Sequence, residues 1–406
     1  MVIGISVLVF TGVILGLVAI LNIASAKLVS SGPVMLGING EKNLEVPAGT
    51  TLLQALLNNG ILLPSACGGK GACGVCKCKV FEGGGEVIPS EEGWLTRKEK
   101  KENVRLSCQV KLKGDMKIEV PHECMGVKRF NCKVRSNHNV ATFIKELVVD
   151  IEPGKELHFQ NGGYIQLEVP QYNIDFKNFE IEERFRDEWD KYKLWDLKAV
   201  NTEPTQRAYS MANHPAESNM VMLNIRIATP PPKAGPEIPP GIASSYVFNL
   251  KPGDDVIVSG PYGEFFIQET DREMCFIGGG AGMAPMRSHI FHLFHTEKTK
   301  RKATFWYGAR SKREMFYDEE FKAIEKEFPN FKYHVALSEP KPEDNWTGLK
   351  GFIHTVCLKE YLEKHPDPGS IEYYLCGPPM MLKGVQNMLD SLGVEKDMIR
   401  FDDFGS

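Results

Sequence analysis

The 406-residue chain has little of what marks a nucleic-acid-binding or a disulfide-stabilised protein. It has no Lys/Arg-rich block and a formal net charge of −4, so we expect no nucleic-acid partner. Ten cysteines are too few for a disulfide scaffold in a chain of this length. Low-complexity tracts and internal repeats are also absent. The length allows two or three ordinary globular domains.

Charged side chains are missing from residues 2–26, and the first one is Lys27. The apolar run from Ile3 to Ile23 is long enough for a helix to cross about 30 Å of hydrocarbon. We therefore predict a transmembrane anchor over residues 1–27, and Lys27 favours a cytoplasmic location for the rest of the chain. A cleaved signal peptide is the alternative, because Ala24-Ser25-Ala26 resembles a cleavage site. However, no basic residue precedes the run, and the run is longer than a usual signal core.

Four of the ten cysteines lie close together, and three of them share one short loop with four glycines. A [2Fe–2S] cluster requires four thiolates on two irons. Glycines let the backbone wrap around such a cluster and point its N–H groups at the sulfurs. We predict that the ligands are Cys67, Cys73, Cys76 and the distant Cys108. A zinc site is the alternative, since Cys73-x2-Cys76 alone suits zinc, but interleaved glycines fit zinc ribbons poorly.

This segment resembles the ferredoxin-like [2Fe–2S] domain family, with Cys-x5-Cys-x2-Cys replacing the plant-type Cys-x4-Cys-x2-Cys spacing. The resemblance implies a β-grasp domain over residues 33–125. The local pattern predicts a hairpin at residues 35–46 and a helix at residues 51–59. Cys78 lies in an alternating strand and is expected in the domain core. Four scattered cysteines are also expected to be buried: Cys124, Cys132, Cys275 and Cys357.

Alternating strands separated by turn residues begin near Phe130 and indicate an antiparallel barrel. Two motifs follow, Arg207-Ala208-Tyr209-Ser210 and Gly241-Ile242-Ala243-Ser244-Ser245-Tyr246. With Gly260-Pro261-Tyr262-Gly263 they resemble the ferredoxin–NADP⁺ reductase superfamily. The resemblance implies an FAD-binding barrel over residues 129–268. Residues 171–200 form an aromatic and acidic insertion that the plain superfamily barrel lacks, either a docking surface, which we favour slightly, or a capping helix.

The resemblance also implies roles for the motif residues. Arg207 would pair with the flavin diphosphate, where a guanidinium suits phosphate oxygens. Tyr209 would stack on the flavin or its ribityl chain, and Ser210 would lie near flavin N5. The turn containing Gly241, Ser244 and Ser245 would donate backbone N–H groups to the phosphates at a helix N-terminus. The alternative for the first motif is an ordinary strand with an exposed arginine.

From about residue 271 strands alternate with helices, which predicts a doubly wound parallel sheet over residues 270–406. A glycine-rich turn follows the first strand, and a helix is predicted from Met286 to about His295. This turn, Gly280 to Pro285, matches the Gly-x-Gly-x-Ala-Pro loop of the same superfamily, and Cys376-Gly377-Pro378-Pro379-Met380 matches a second superfamily motif. The implied residues that bind the nicotinamide dinucleotide are Gly280, Gly282, Pro285, Met286, Arg310, Cys376, Gly377, Pro378 and Met380, with Arg310 on the adenosine side.

Three residues are implied to act in hydride transfer: Ser210, Cys376 and Phe404. Cys376 would lie beside the nicotinamide ring, with a buried strand end as the alternative. Phe404 would cover the flavin face and move before nicotinamide stacks, with a frayed tail as the alternative. Arg310 and Lys312 could attract a 2′-phosphate, but acidic residues crowd the same region (Glu314, Asp318, Glu319 and Glu320). We therefore predict NADH rather than NADPH.

The whole chain thus predicts a multidomain α+β and α/β protein. Its domain order, its Gly280–Ser288 sequence and its Asp-Asp-Phe-Gly tail resemble the F subunits of bacterial sodium-translocating NADH:quinone oxidoreductases. The resemblance implies hydride transfer from NADH to FAD, then single electrons to the cluster and on to partner subunits of a respiratory complex in the inner membrane. Two alternatives remain open: the reductase component of an oxygenase, and a non-enzymatic zinc-bearing membrane scaffold.

Overall fold

The computed structural model describes residues 10–18, 32–121, 124, 126–231 and 238–404. These residues divide into two compact units, Met1–Val127 and Lys128–Ser406. Most of the predicted anchor over residues 1–27 lies outside the described residues. Its described part is helix α1, residues 10–18. A helix of that length rises only about 14 Å. The predicted transmembrane helix is therefore not seen: in the described ranges no helix is long and apolar enough to cross a bilayer.

The first unit is built on a five-stranded sheet with the strand order β2-β1-β5-β3-β4. Strands β1 (Pro33–Ile38) and β2 (Lys42–Pro47) form the predicted hairpin, and helix α2 (Leu52–Asn58) is capped by the Thr51 side chain. Strand β5 runs parallel to β1, which gives the β-grasp arrangement. The remaining elements of this unit are β3 (Lys77–Glu82), α3 (Pro89–Glu92), α4 (Arg97–Lys101), β4 (Val104–Leu106) and β5 (Met116–Glu119).

The second unit begins with a six-stranded antiparallel sheet in the order β11-β8-β13-β6-β7-β12. An isolated bridge between Met211 and Leu223 joins its two ends, so the sheet closes into the predicted barrel. Apolar side chains of alternate strand positions fill the interior. The elements of the barrel are β6 (Lys128–Ala141), β7 (Ile144–Ile151), β8 (Tyr164–Val169), β11 (Thr205–Ser210), β12 (Met220–Arg226), α6 (Ile242–Asn249) and β13 (Asp255–Tyr262).

The insertion between β8 and β11 folds into a two-stranded sheet and a helix. Its elements are β9 (Tyr172–Asp175), α5 (Glu183–Lys191) and β10 (Lys198–Asn201). Most of its aromatic side chains are buried, in a cluster that also contains Ile227 and Phe248 of the barrel (Phe176, Phe179, Phe185 and Trp189). These four side chains therefore pack α5 onto the barrel, and docking of a partner on the exposed residues of the insertion stays a prediction.

The rest of the second unit is a six-stranded parallel sheet in the order β17-β16-β15-β14-β18-β19. This order confirms the predicted doubly wound sheet. The chain extends the sheet first on one side of β14, through β15 to β17, and then on the other side, through β18 and β19. The elements are β14 (Met274–Gly279), α7 (Met283–Phe291), β15 (Ala303–Ala309), α8 (Asp318–Glu327), β16 (Phe331–Leu337), β17 (Leu349–Lys350), α9 (Ile353–Glu360), β18 (Glu372–Cys376), α10 (Pro379–Ser391) and β19 (Ile399–Asp402).

Helix α7 begins at Met283, three residues before the predicted start at Met286. Pro285 lies in the first helical turn, where its missing N–H costs no intrahelical hydrogen bond. The helix therefore begins within the predicted glycine-rich turn and includes its proline.

Candidate functional site

The cysteine loop of the first unit has the backbone that the prediction requires. Its four glycines, Gly68, Gly69, Gly71 and Gly74, all have positive φ angles between 65° and 86°. Side chains other than glycine rarely adopt this conformation. A Cβ atom on Gly74 would lie 2.7 Å from the Trp94 ring, so the loop also needs glycine for close packing.

The four predicted ligands come together as two pairs of thiols. Cys67 shares a hydrogen bond with Cys73, and Cys76 shares one with Cys108. The bond from Cys73 lowers the pKa of Cys67 to about 4, and the bond from Cys76 lowers the pKa of Cys108 to about 7. The same contacts raise the pKa of Cys73 and of Cys76, so the shift within each pair reflects how the two thiols act on each other.

This pairing bears on which metal centre the loop suits. A tetrahedral zinc site requires four donors around one ion, whereas a [2Fe–2S] cluster takes two thiolates on each of two irons. Two separate pairs therefore fit the binuclear cluster. Cys78 lies in the core of this unit, as predicted, and is not part of either pair.

A buried ion pair holds the strand that leads to Cys108. Glu91 is fully buried, and its carboxylate accepts hydrogen bonds from Arg105 Nη2 at 2.6 Å and from the Leu106 amide at 2.9 Å. The same guanidinium donates to the carbonyls of Gly84 and Gly85 at 2.7 and 2.9 Å. Burial opposes ionisation of Glu91, but these donors lower its pKa below the ordinary value.

The first predicted flavin motif, Arg207 to Ser210, lies on β11 of the barrel. Arg207 donates only to Thr205 and to the carbonyl of Gln206, and its guanidinium has no carboxylate partner in the described part of the chain. Burial raises the pKa of Tyr209, and the charge of Arg207 opposes that rise. The Tyr172 hydroxyl donates to the Ile242 carbonyl at 2.5 Å. Among the residues that the structure describes, the Arg207 guanidinium is therefore a cation without an anionic partner.

The turn predicted to bind the phosphates opens α6. Gly241 precedes the helix, and no side chain caps the first turn. A Cβ atom on Gly241 would lie 2.7 Å from the Ala228 Cβ and 2.8 Å from the Ser244 hydroxyl, so this approach requires glycine. The Ser244 hydroxyl accepts from the Ala228 amide at 3.1 Å, and Ser245 is buried. A diphosphate could accept hydrogen bonds from the backbone N–H groups of this turn.

The strand ends of the parallel sheet bring three side chains together. The Ser210 hydroxyl, at the end of β11, donates to Asp402 Oδ2 at 2.6 Å. Burial raises the pKa of Asp402, and this hydrogen bond opposes that rise. Asp402 pairs in register with Cys376 across β18 and β19. Burial is the main cause that raises the pKa of the Cys376 thiol well above its ordinary value, and the charges of Asp402 and Asp403 add to it. Cys376 is therefore a neutral thiol.

The glycine turn lies against the same strand end. A Cβ atom on Gly282 would collide with the carbonyl oxygen of Cys376, and Gly280 has a φ of +56°. Pro285 and Met286 are buried in α7, with Met286 in the core, so neither side chain reaches the solvent-facing edge. Gly377 and Pro378 follow Cys376 directly, and Met380 is 80% exposed at the start of α10.

Comparison with known proteins agrees with this geometry. Residues 36–113 match a 2Fe-2S iron-sulfur cluster binding domain, residues 190–267 an oxidoreductase FAD-binding domain, and residues 276–387 an oxidoreductase NAD-binding domain. The F subunit of the Na(+)-translocating NADH-quinone reductase of Pseudomonas aeruginosa UCBPP-PA14 is 56% identical over 98% of this chain and 97% of its own. The corresponding Marinomonas protein is 55% identical over 98% of both chains. The chain belongs to this family of F subunits.

Solved structures share the fold of this member of the family. The Amycolatopsis cytochrome P450 reductase GcoB covers 91% of the chain and 98% of its own, with a TM-score of 0.63 and 22% identity. A ferredoxin reductase in carbazole 1,9a-dioxygenase covers 92% and 98%, with a TM-score of 0.59 and 25% identity. The three matched domains confirm the predicted cofactors, which are a [2Fe–2S] cluster, FAD and NADH.

Two residues of the site escaped the sequence analysis. The sequence analysis treated Asp402 only as part of the C-terminal tail. Its position two residues before Phe404, the predicted cover of the flavin, could have indicated that it belongs to the site. Glu188 of the insertion pairs with Arg310 at 2.9 Å, so the predicted adenosine-side arginine is already engaged by a carboxylate. Phe404 is 48% exposed and follows the last strand.

Proposed function

We propose that this protein is the electron-entry subunit of a sodium-translocating NADH:quinone reductase. It would oxidise NADH at the parallel sheet and deliver electrons through its [2Fe–2S] centre to partner subunits. One observation carries the proposal: a single chain combines two pairs of thiols, three of them on one glycine-rich loop, with a Ser210–Asp402–Cys376 group at a nicotinamide-type strand edge. The first would hold the cluster, and the second would receive the nicotinamide ring.

The cysteines would hold the two irons in pairs. Cys67 and Cys73 would ligate one iron, and Cys76 and Cys108 the other, because these are the sulfurs already in contact. Bound FAD supplies the change from two-electron to one-electron transfer, and the cluster accepts one electron at a time. The loop glycines allow backbone N–H groups to approach the sulfurs, which tunes the cluster potential.

Ser210, Asp402 and Cys376 would orient the nicotinamide and set its electrostatic surroundings. The Ser210 hydroxyl proton points at Asp402 Oδ2, which fixes both side chains. A carboxylate at this position would stabilise the positive charge that develops on the nicotinamide as it loses hydride. Cys376, as a neutral buried thiol, would pack against the ring without adding to it as a nucleophile.

The residues around α6 would hold the FAD. Arg207 would neutralise the diphosphate and Tyr209 would pack against the flavin side, while the Gly241 turn would donate backbone N–H groups. Phe404 would cover the flavin face before nicotinamide binds. We also retain the predicted domain limits of residues 33–125, 129–268 and 270–406.

A membrane location is the less direct part of the proposal. We propose that residues 1–27 anchor the protein in the bacterial inner membrane as a single pass, with its other domains in the cytoplasm. Support comes from the uncharged residues 2–26 and from the large apolar side chains of α1, such as Phe10 and Leu15, which are exposed. Mass spectrometry of the mature N-terminus tests this, since a chain that starts near Lys27 would remove the anchor.

The reductase component of an oxygenase is the second candidate function. The fold is shared with such reductases at 22–25% identity. The near-full-length identity of 54–56% to F subunits favours the respiratory function. Membrane fractionation with identification of co-purifying proteins separates the two candidates, because an oxygenase reductase would co-purify with a hydroxylase.

The decisive experiment is spectroscopic. Anaerobically purified protein is expected to contain FAD, about two iron atoms and about two sulfide ions per chain. Addition of NADH should bleach the flavin and then the cluster absorption. Protein that lacks iron and flavin would refute the proposed function, and the zinc-scaffold alternative would then apply.

A further inference from the structure

Helix α5 of the insertion is fixed on the barrel by its apolar face. Phe185 and Trp189 are fully buried, and the Trp189 indole donates to the Thr142 carbonyl at 2.9 Å. Because this face is held by the barrel, Asp187 and Glu188, which lie beside Phe185 and Trp189 on α5, have a defined position. They face the segment that follows β15 in the parallel sheet.

Two adjacent acids of α5 pair with two arginines of that segment. Glu188 Oε2 lies 2.9 Å from Arg310 Nη2, and its other oxygen lies 2.8 Å from Arg313 Nη2. Asp187 contacts Arg313 Nη1 at 2.8 Å and Lys341 at 3.9 Å. Burial opposes ionisation of Glu188, but the two guanidiniums hold its pKa below the ordinary value. The carboxylate of Glu188 is thus shared by both arginines.

Arg310 occupies a position that decides cofactor recognition in sheets of this type. It directly follows β15, the neighbour of β14 on the side where the adenosine half of a dinucleotide lies. An arginine near this edge accommodates the 2′-phosphate of NADPH. Here its guanidinium has a second carboxylate, Glu314, at 3.3 Å.

The insertion supplies most of the negative charge in this ion-pair network. The network has three cations (Arg310, Arg313 and Lys341) and three anions (Asp187, Glu188 and Glu314). Two of the three anions belong to the insertion. The third, Glu314, also accepts a hydrogen bond from the Thr142 amide at 3.0 Å. Without the insertion, the network would carry excess positive charge that suits a phosphate.

We propose that Glu188 determines the preference for NADH over NADPH by occupying the Arg310 guanidinium. The uncharged 2′-hydroxyl of NADH is not repelled at this position. The 2′-phosphate of NADPH is repelled by the carboxylate of Glu188, and the arginine that would bind it is already paired. Glu188 acts through Arg310 and is therefore a positioning residue. The inference rests on the proposed function only in that this unit binds a nicotinamide dinucleotide.

The test is direct binding of two adenosine nucleotides to the holoprotein by calorimetry. Adenosine 2′,5′-bisphosphate carries the 2′-phosphate, and 5′-AMP lacks it. In Glu188→Gln the affinity for the bisphosphate is expected to rise about tenfold or more, with that for AMP changing less than about threefold. The ratio of kcat/KM for NADPH to that for NADH should rise in parallel. A further Arg310→Gln substitution should abolish the gain.

Matched variants separate this effect from a structural one. Glu183→Gln removes an acid from the same helix, and that acid pairs only with Arg186 of α5 within the described residues; the ratio of the two affinities should not change. Should Glu188→Gln fail to fold, Asp187→Asn is expected to act in the same direction with a smaller effect. Equal affinity changes for both nucleotides, or none, would overturn the inference. Wild-type protein that binds neither AMP nor NADH would instead refute the proposed function.

Discussion

The Ser210 hydroxyl donates a 2.6 Å hydrogen bond to Asp402, and the two residues are 192 positions apart in the chain. Ser210 ends β11 of the barrel, and Asp402 ends β19 of the parallel sheet. The bond therefore links the two sheets of the second unit at their strand ends. Cys376 lies opposite Asp402 in register, so the bond also fixes the surroundings of the predicted nicotinamide-side thiol.

Asp402→Asn is expected to slow flavin reduction by NADH about tenfold to a hundredfold. The amide keeps the shape and can still accept from Ser210, but it removes the charge that would stabilise the developing nicotinamide cation. Stopped-flow absorbance of the flavin under anaerobic conditions measures this step. Flavin content should stay normal. Asp390→Asn, at an exposed position of α10, is the control; an Asp402→Asn rate equal to that of the control would contradict the assigned role.

Cys76→Ser is expected to abolish the cluster absorption, because it removes one of two thiolates on an iron. Cys78→Ala is the matched control: Cys78 lies two residues away but is packed in the core. Its loss should cost stability and leave the cluster in place. Iron and sulfide analysis of both purified proteins measures the difference. Complete cluster loss in Cys78→Ala, with retention in Cys76→Ser, would show that the ligand assignment is wrong.

Glu91→Ala is expected to destabilise the first unit by about 3–5 kcal/mol, because it leaves Arg105 buried without its partner. The segment that leads from the strand of Arg105 to Cys108 should then loosen. The measurement is the urea concentration at which cluster absorption is lost. Glu92→Ala is the control, since the neighbouring acid is exposed. Equal midpoints for the two variants would argue that the buried pair does not support the cluster loop.

The local parts of this molecule were predictable from sequence, and the long-range pairs were not. Cysteine spacing and glycine content indicate the ligand loop, and the alternation of the strand indicates that Cys78 lies in the core. By contrast, the partners of Arg310 depend on the position of α5, 122 residues earlier in the chain. No local pattern tells which carboxylate neutralises an arginine. Sequence reasoning therefore placed Arg310 near the adenosine but missed that Glu188 engages it.

The insertion shows a related limit. Its aromatic residues were expected to favour docking slightly because they alternate with many charges. Amphipathic helices produce that same pattern when one face is buried. The structure buries Phe185 and Trp189 and leaves Asp187 more exposed. The four-residue spacing of the two aromatic residues, which is helical, could have indicated this buried face.

Lys145 offers a prediction about pH. Its side chain is 1% exposed in β7 and donates to the Phe248 carbonyl at 3.3 Å. Burial lowers its pKa from 10.5 to about 8. Between these values the unfolded chain binds the proton more readily than the folded one, so stability from this group rises as pH increases from about 8 to about 10.5. Below pH 8 the lysine opposes folding by about 3 kcal/mol.

Lys145→Met should therefore stabilise the second unit at pH 7.5, because it fills the same space without a charge to desolvate. The stability difference from wild type should shrink as pH approaches 10, since wild-type Lys145 becomes neutral there. Thermal unfolding, monitored through the release of flavin, measures this difference. Because the variant and the wild type are compared at the same pH, the contributions of other titrating groups cancel. Lys133→Met, at an exposed ion pair, is the control. A stability difference that stays constant from pH 7.5 to pH 10 would mean that Lys145 does not have a lowered pKa in the folded protein.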